Sequence, residues 1–230
     1  MPPFEASIRA ARRFARRLKG SVLLKGVVMH GPKRPEVALT FDDGPGPEHT
    51  PAILDALAAR KARATFFLLG KHVEAHPELA RRVAEEHALG VHSFDHARSC
   101  VRSIDDFERD LALCRAVFTR EIGKFPSFYR FPWGDPGAIS PRDVYARHGL
   151  RCVHWSGSGA ESLEPKAIAA SLEGAIEPGA ILLLHDGLAP GSVYPKPRDA
   201  TVLALPMILD AIEAHGLSLV TLDEMLDPTR

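Results

Sequence analysis

Short apolar runs alternate with longer amphipathic segments along this chain, and that alternation restricts the fold more than any single residue does. Strands are predicted at 37–41, 64–69, around 91, and at 128–131, 151–155, 180–184 and 217–221. The segments between them carry helix punctuation. Thr50-Pro51 reads as an N-cap followed by proline at the first helical position. Ser103-Ile-Asp-Asp106 resembles a capping box, and Phe107, Leu111, Cys114 and Phe118 then fall on one helical face. Gly90, Gly149 and Gly216 stand where helices starting near 77, 141 and 201 should stop. Strands that each lead into a helix predict an α/β fold, a parallel sheet with covering helices. Runs as apolar as Ala-Ile-Leu-Leu-Leu at 180–184 fit a sheet buried on both faces. About seven strands are expected, and the pattern alone is compatible with an open doubly wound sheet or a closed barrel.

A chain of 230 residues builds a core that needs no structural metal or disulfide, so a metal site here reads as functional. Basic and acidic residues are equal at 29 each, without the excess of cations that a nucleic-acid binder carries. The charge is uneven, however. Residues 1–34 hold nine Lys and Arg against one acid, Glu5, a net of about +8. We read 1–34 as a basic, helical N-terminal extension with a loose face of Phe4, Ile8, Phe14 and Leu18, and 35–230 as the catalytic domain. A solvated helix packed on the domain, or a frayed end, is the expected form, and peripheral contact with an anionic membrane surface the alternative. No run is apolar and long enough for a signal-peptide core or a membrane span, since Lys25 interrupts Val22 to Val28. Cys100, Cys114 and Cys152 match no zinc spacing. Together these point to a cytoplasmic or membrane-peripheral location.

The polar residues are placed where chemistry is expected. Asp42 and Asp43 follow the first of these strands, His92 and His96 the third, Arg130 lies in the fourth, and His185 directly follows the 180–184 run. In a parallel α/β fold these positions share the carboxyl ends of the strands, where active sites sit. Two histidines four apart on a helical turn present both rings to one side. With one carboxylate they make a site with open positions, suited to catalytic zinc or non-haem iron. Of the adjacent aspartates, one can bind metal while the other stays available as a base. His185 then reads as a general acid.

Thr40-Phe-Asp-Asp-Gly44, His92-Ser-Phe-Asp-His96, Arg130-Phe-Pro-Trp-Gly134 and Leu182-Leu-Leu-His185 resemble, in order and spacing, four of the five motifs of the polysaccharide deacetylases, the NodB-homology family or carbohydrate esterase family four. The resemblance covers about residues 35–226. It implies a distorted (β/α) barrel of about seven parallel strands and a metal-dependent hydrolase that removes the N-acetyl, or another acyl, group from an amino-sugar-containing glycan. It implies Asp43, His92 and His96 as ligands of one divalent ion, zinc first, with Co2+, Ni2+ or Mn2+ as further candidates. It implies Asp42 as catalytic base, His185 as catalytic acid and Arg130 as the residue positioning the base. The backbone N–H of Phe131 becomes the oxyanion donor, Ser93 the brace of the histidine loop, and Trp133 and Leu183 the lining of the substrate groove, with Trp155 read as a further substrate-binding residue.

The fifth motif departs from the family. An aspartate and a tryptophan usually follow the fifth strand, and the aspartate tunes the catalytic histidine. Here Trp155-Ser-Gly-Ser-Gly-Ala-Glu-Ser162 places Glu161 and Ser162 at those positions. The change keeps an alternative open: a hydrolase of the same superfamily acting on a lipid-linked formylated amino sugar or a small cyclic amide. A catalytically inactive glycan-binding domain is a weaker alternative, because all five of Asp42, Asp43, His92, His96 and His185 are present. A haloacid-dehalogenase-type phosphatase would need Asp-x-Asp rather than adjacent aspartates, and no glycine-rich phosphate loop appears.

Overall fold

A computed structural model describes residues 26–159, 162–190 and 198–230, apart from the side chains of Ser99 and Cys100. The amphipathic face of Phe4, Ile8, Phe14 and Leu18 and the position of Glu161 therefore lie outside the described residues. Among the described residues nine strands form one sheet: Val27–Val28 (β1), Glu36–Asp42 (β2), Thr65–Leu68 (β3), Ala88–Val91 (β4), Phe128–Tyr129 (β5), Arg151–Val153 (β6), Gly157–Ser158 (β7), Ile181–His185 (β8) and Ser218–Val220 (β9). Every described pairing is parallel. The order is β1-β6-β5-β4-β3-β2-β8-β7, with β9 paired to the start of β2. The strands make an incompletely closed (β/α) barrel, because the sheet path ends at β1 on one side and β7 on the other. Among the described residues no helix is long and apolar enough to cross a membrane.

Period-two alternation sorts the side chains of each strand between two cores. Ala38, Phe67, Phe128, Val153 and Ile181 fill the barrel interior, closed below by Val220, Leu222 and Met225. Val37, Leu39, Phe41, Leu182 and Leu184 face outward into the layer under the helices. The outer layer includes Thr50–Ala59, Ile104–Ile122 and Asp199–Ala214. Continuing the inward parity along β2 and β8 carries Thr40, Asp42 and His185 to the inside of the barrel mouth. Asp42 and His185 are also direct register partners.

Several local expectations are corrected. The sheet begins at Val27–Val28, inside the stretch assigned to the extension, where β1 pairs with Cys152 and Val153. Two valines after Lys25 and Gly26 are too short a run to show periodicity. Gly157–Ser158 forms a ninth strand that small residues conceal in the same way. The helix from 77 stops at Glu86, so Gly90 is not its cap but a residue of β4. Gly90 pairs with Phe67, whose ring occupies the space a Cβ would need. Gly70 opens a short helix, Gly70–Ala75. Thr50 is the first residue of its helix rather than the cap, and its hydroxyl is engaged elsewhere. Ser103, by contrast, caps as the sequence indicates, accepting from the Asp106 N–H at 3.1 Å, and Gly149 ends its helix with φ +67°.

Candidate metal centre and catalytic site

Asp42 is the last residue of β2, and the next residue leaves the extended conformation: Asp43 has φ +71°. Two adjacent carboxyls on an extended chain would point to opposite faces. The left-handed residue turns the second one back, so both reach the same imidazole. His92 Nε2 lies 3.6 Å from Asp43 Oδ1 and 3.7 Å from Asp42 Oδ2. The His72 ring, on the helix Gly70–Ala75, holds the turn by donating from Nδ1 to the Asp43 carbonyl at 2.8 Å.

His92 and His96 do not sit on a helical turn. Residues 92–96 form a loop after β4, with φ +67° at Ser93 and +62° at His96. That loop is tied from several sides. The Ser93 hydroxyl accepts from the His96 N–H at 3.0 Å. The Asp110 carboxylate, from the helix Ile104–Ile122, accepts from the Phe94 N–H at 3.1 and 3.2 Å. The result still directs both rings at Asp43: His96 Nε2 lies 3.5 Å from the same Oδ1. Ligand atoms of Asp43, His92 and His96 all lie within 4.8 Å of one another.

This donor set fits a divalent metal ion. His92 Nδ1 faces the carbonyl oxygen of Arg130 at 2.8 Å. A carbonyl only accepts, so Nδ1 carries the proton and Nε2 keeps its lone pair for a metal, the usual arrangement for a ligating histidine. Burial drives the pKa of His92 down to about 3 and that of His96 down to about 4. Both rings are therefore neutral at physiological pH, the form that coordinates.

Arg130 is fully buried in the barrel interior. Its guanidinium donates to Asp42 Oδ1 at 2.7 Å, Thr40 Oγ1 at 2.8 Å, and the carbonyls of Val153 and His154 at 3.1 and 2.8 Å. It also lies 3.9 Å from the centroid of the Phe67 ring. Arg130 thus spans the barrel and fixes one oxygen of Asp42, leaving Oδ2 turned towards His92. Phe131 is buried and begins the turn Pro132–Gly134. Trp133, at φ +56°, is 41% exposed; its ring is edge-on to His96 at 4.2 Å, with the Arg98 guanidinium 4.2 Å from its centroid. Trp155 is half-buried, stacked on His154, and belongs as much to the barrel core as to its mouth.

Five of the sequence-read residues, Asp42, Asp43, His92, His96 and Arg130, thus meet through side-chain contacts of 3.7 Å or less. His185 is placed beside them by register, and Glu161 lies outside the described residues. Thr40, His72, Asp110 and Asp186 were not singled out by sequence reasoning. A signal existed for Thr40, which shares the face of Asp42 two residues on. The contacts of the others join distant segments.

A family model described as polysaccharide deacetylase matches residues 30–153. The chain is 37% identical over 200 residues to a chitooligosaccharide deacetylase of Bradyrhizobium sp. (strain ANU 289), covering 82% of this chain and 90% of that protein. It is 31% identical over 202 residues to a peptidoglycan-N-acetylglucosamine deacetylase of Bacillus cereus, covering 85% and 70%. Its fold superposes on the crystal structure of the Bc1960 peptidoglycan N-acetylglucosamine deacetylase with a TM-score of 0.77 at 30% identity, covering 87% of this chain and 92% of that one.

Proposed function

This chain belongs to the polysaccharide deacetylase family, and on that premise we propose that it hydrolyses the N-acetyl amide of an amino-sugar-containing glycan with the help of one divalent metal ion. The observation that carries the reading is the convergence of Asp43, His92 and His96 beside the Asp42–Arg130 pair. Relatives that deacetylate chitooligosaccharides and peptidoglycan support the substrate class.

The metal, zinc in the first instance, would be held by the Asp43 carboxylate and the Nε2 atoms of His92 and His96. When bound, such an ion acidifies its water and polarises the scissile carbonyl. Asp42 takes the proton of the attacking water through Oδ2, since Arg130 holds Oδ1. The Phe131 N–H donates to the developing oxyanion, an interaction typically responsible for ~10²–10³-fold in rate. His185 gives a proton to the departing amine, and Glu161 takes the place of its usual acidic partner. Ser93 braces the histidine loop. Trp133, exposed against His96, offers the sugar an apolar face, and Trp155 backs it from within.

The test is acetate and free-amine release by zinc-loaded protein from acetylated chitooligosaccharides and peptidoglycan glycan, with N-formyl amino sugars and cyclic imides in parallel. Acetate from at least one of the two glycans is expected, and His92→Ala should lose metal and activity together. Turnover of a formyl or imide substrate alone would overturn the substrate class. A full equivalent of metal in His92→Ala would overturn the site.

A further inference from the structure

Asp186 follows His185 directly, is fully buried, and has no part in the chemistry above. Its carboxyl accepts a hydrogen bond from the Thr50 hydroxyl, and that hydroxyl in turn accepts from the Gly46 N–H at 2.8 Å. The carboxyl also lies against Gly44, where an added Cβ would run into both of its oxygens. The Asp186 N–H donates to the Asp42 carbonyl at 3.2 Å. Gly187 abuts the Asp43 carbonyl so closely that no side chain fits there. Asp186 and Gly187, just beyond β8, therefore touch the turn that carries Asp42 and Asp43 at several points.

This contact lies where the β-ladder runs out. The described register of β2 and β8 ends at the pair Asp42–His185. Beyond it Asp43 turns left-handed, and strand pairing no longer fixes the turn against β8. A buried residue that served only to fill space would be apolar, since a buried carboxyl is unfavourable unless bonded. Burial pushes the Asp186 pKa up to about 7, against the Thr50 hydrogen bond, which lowers it.

We propose that Thr50 and Asp186 form a positioning strap that fixes the Asp42–Asp43 turn against the strand end bearing His185. Through it the base, the metal-ligand carboxylate and the acid keep their relative places. The inference rests on the roles proposed above for those three residues. The partners lie 136 positions apart in sequence. The strap thus joins the first and last of the motifs through two residues that touch neither metal nor substrate.

The variants that test this are Thr50→Val, which keeps the shape of the side chain and removes the hydroxyl, Thr50→Ser, which restores it, and Asp186→Asn, which keeps an uncharged acceptor. Each is titrated with Co2+, read by its visible absorption, and assayed for kcat and KM on the acetylated glycan. Thr50→Val should bind Co2+ roughly ten- to a hundredfold more weakly, with an altered spectrum, the range typical of disturbed support around a metal ligand. Its kcat should fall at least about tenfold with KM nearly unchanged, because the reacting groups are displaced rather than the sugar contacts. Thr50→Ser and Asp186→Asn should stay within about threefold of the parent in both readouts. A folded Thr50→Val with parental Co2+ affinity and spectrum would overturn the strap. A Thr50→Ser as impaired as Thr50→Val, or an Asp186→Asn that is folded but more than tenfold weaker, would overturn it too, and these two arms decide the matter if Thr50→Val does not fold. Absence of deacetylase activity in the parent would instead count against the proposed reaction, and the Co2+ readout would still test the strap.

Discussion

Replacing Arg130 by methionine tests the part of the site on which everything else leans. Methionine fills much of the space of the stem but removes the guanidinium, with its bonds to Asp42, Thr40, Val153 and His154, all in the buried interior. The Asp42 side chain is 3% exposed, so its charge is left without a partner and without water. Breaking a buried ion pair by removing one partner typically destabilises by ~3–5 kcal/mol, and the stranded carbonyls keep the value in that range rather than below it. A loss of about 4 kcal/mol corresponds to a fall in Tm of about 8–16 °C for a domain of this size. The assay is guanidinium chloride unfolding of Arg130→Met, Asp42→Asn and the double variant, with a chelator present so that metal binding does not contribute. Asp42→Asn alone strands the guanidinium in the same way. The double variant removes both charges and should therefore be more stable than the sum of the single losses by at least about 1–3 kcal/mol. The reasoning is refuted if Arg130→Met costs under about 1 kcal/mol, or if the two losses simply add.

Gly90→Ala should cost about 1–3 kcal/mol and lower Tm, because its Cβ meets the Phe67 ring on which Arg130 rests; an unchanged melting curve would show that the ring can move aside. Deleting residues 1–30 should lower Tm relative to deleting 1–25, because only the longer deletion removes β1 and the Val28 carbonyl that accepts from the His154 N–H; identical Tm values would contradict a structural role for β1. Burial lowers the pKa of His87 and His96 to about 4 and of His92 and His154 to about 3, below the ~6.5 of an unfolded chain. Their stabilisation is therefore complete above pH ~6.5 and is lost as pH falls towards the folded values. Burial raises Asp110 to about 6 and Asp186 to about 7, which acts in the opposite sense, as their stabilisation is lost with rising pH. Burial also lowers His72 and raises Asp223, so five histidines against three aspartates predict that the Tm of the metal-free protein falls between about pH 6.5 and 5, and calorimetry showing a rise on acidification would refute the balance.

The alternation of apolar and amphipathic segments determined the parallel α/β architecture, because period and punctuation are local properties that each segment carries in itself. The same is true of Ser103 as a cap and of Gly149 as a helix stop. The grouping of Asp43, His92 and His96 as a candidate metal centre was equally legible, since they follow strand ends and a parallel sheet brings all such ends to one side. How they converge was not legible. The expected helical turn for His92 and His96 is a loop with two left-handed residues, tied by Asp110 from a helix that begins eight residues further on. Asp42 and Asp43 share a site only because of the backbone turn at Asp43. Gly90 looked like a helix cap until Phe67, on the neighbouring strand, showed what its missing side chain makes room for. Val27–Val28 and Gly157–Ser158 are strands because of the edges they meet, β6 and β8, and two residues alone carry no period. The Thr50 hydroxyl is the sharpest case. Its sequence neighbourhood offers it a helix to cap, and the fold gives it Asp186 instead, since a hydroxyl bonds to whichever acceptor the packing leaves beside it without water.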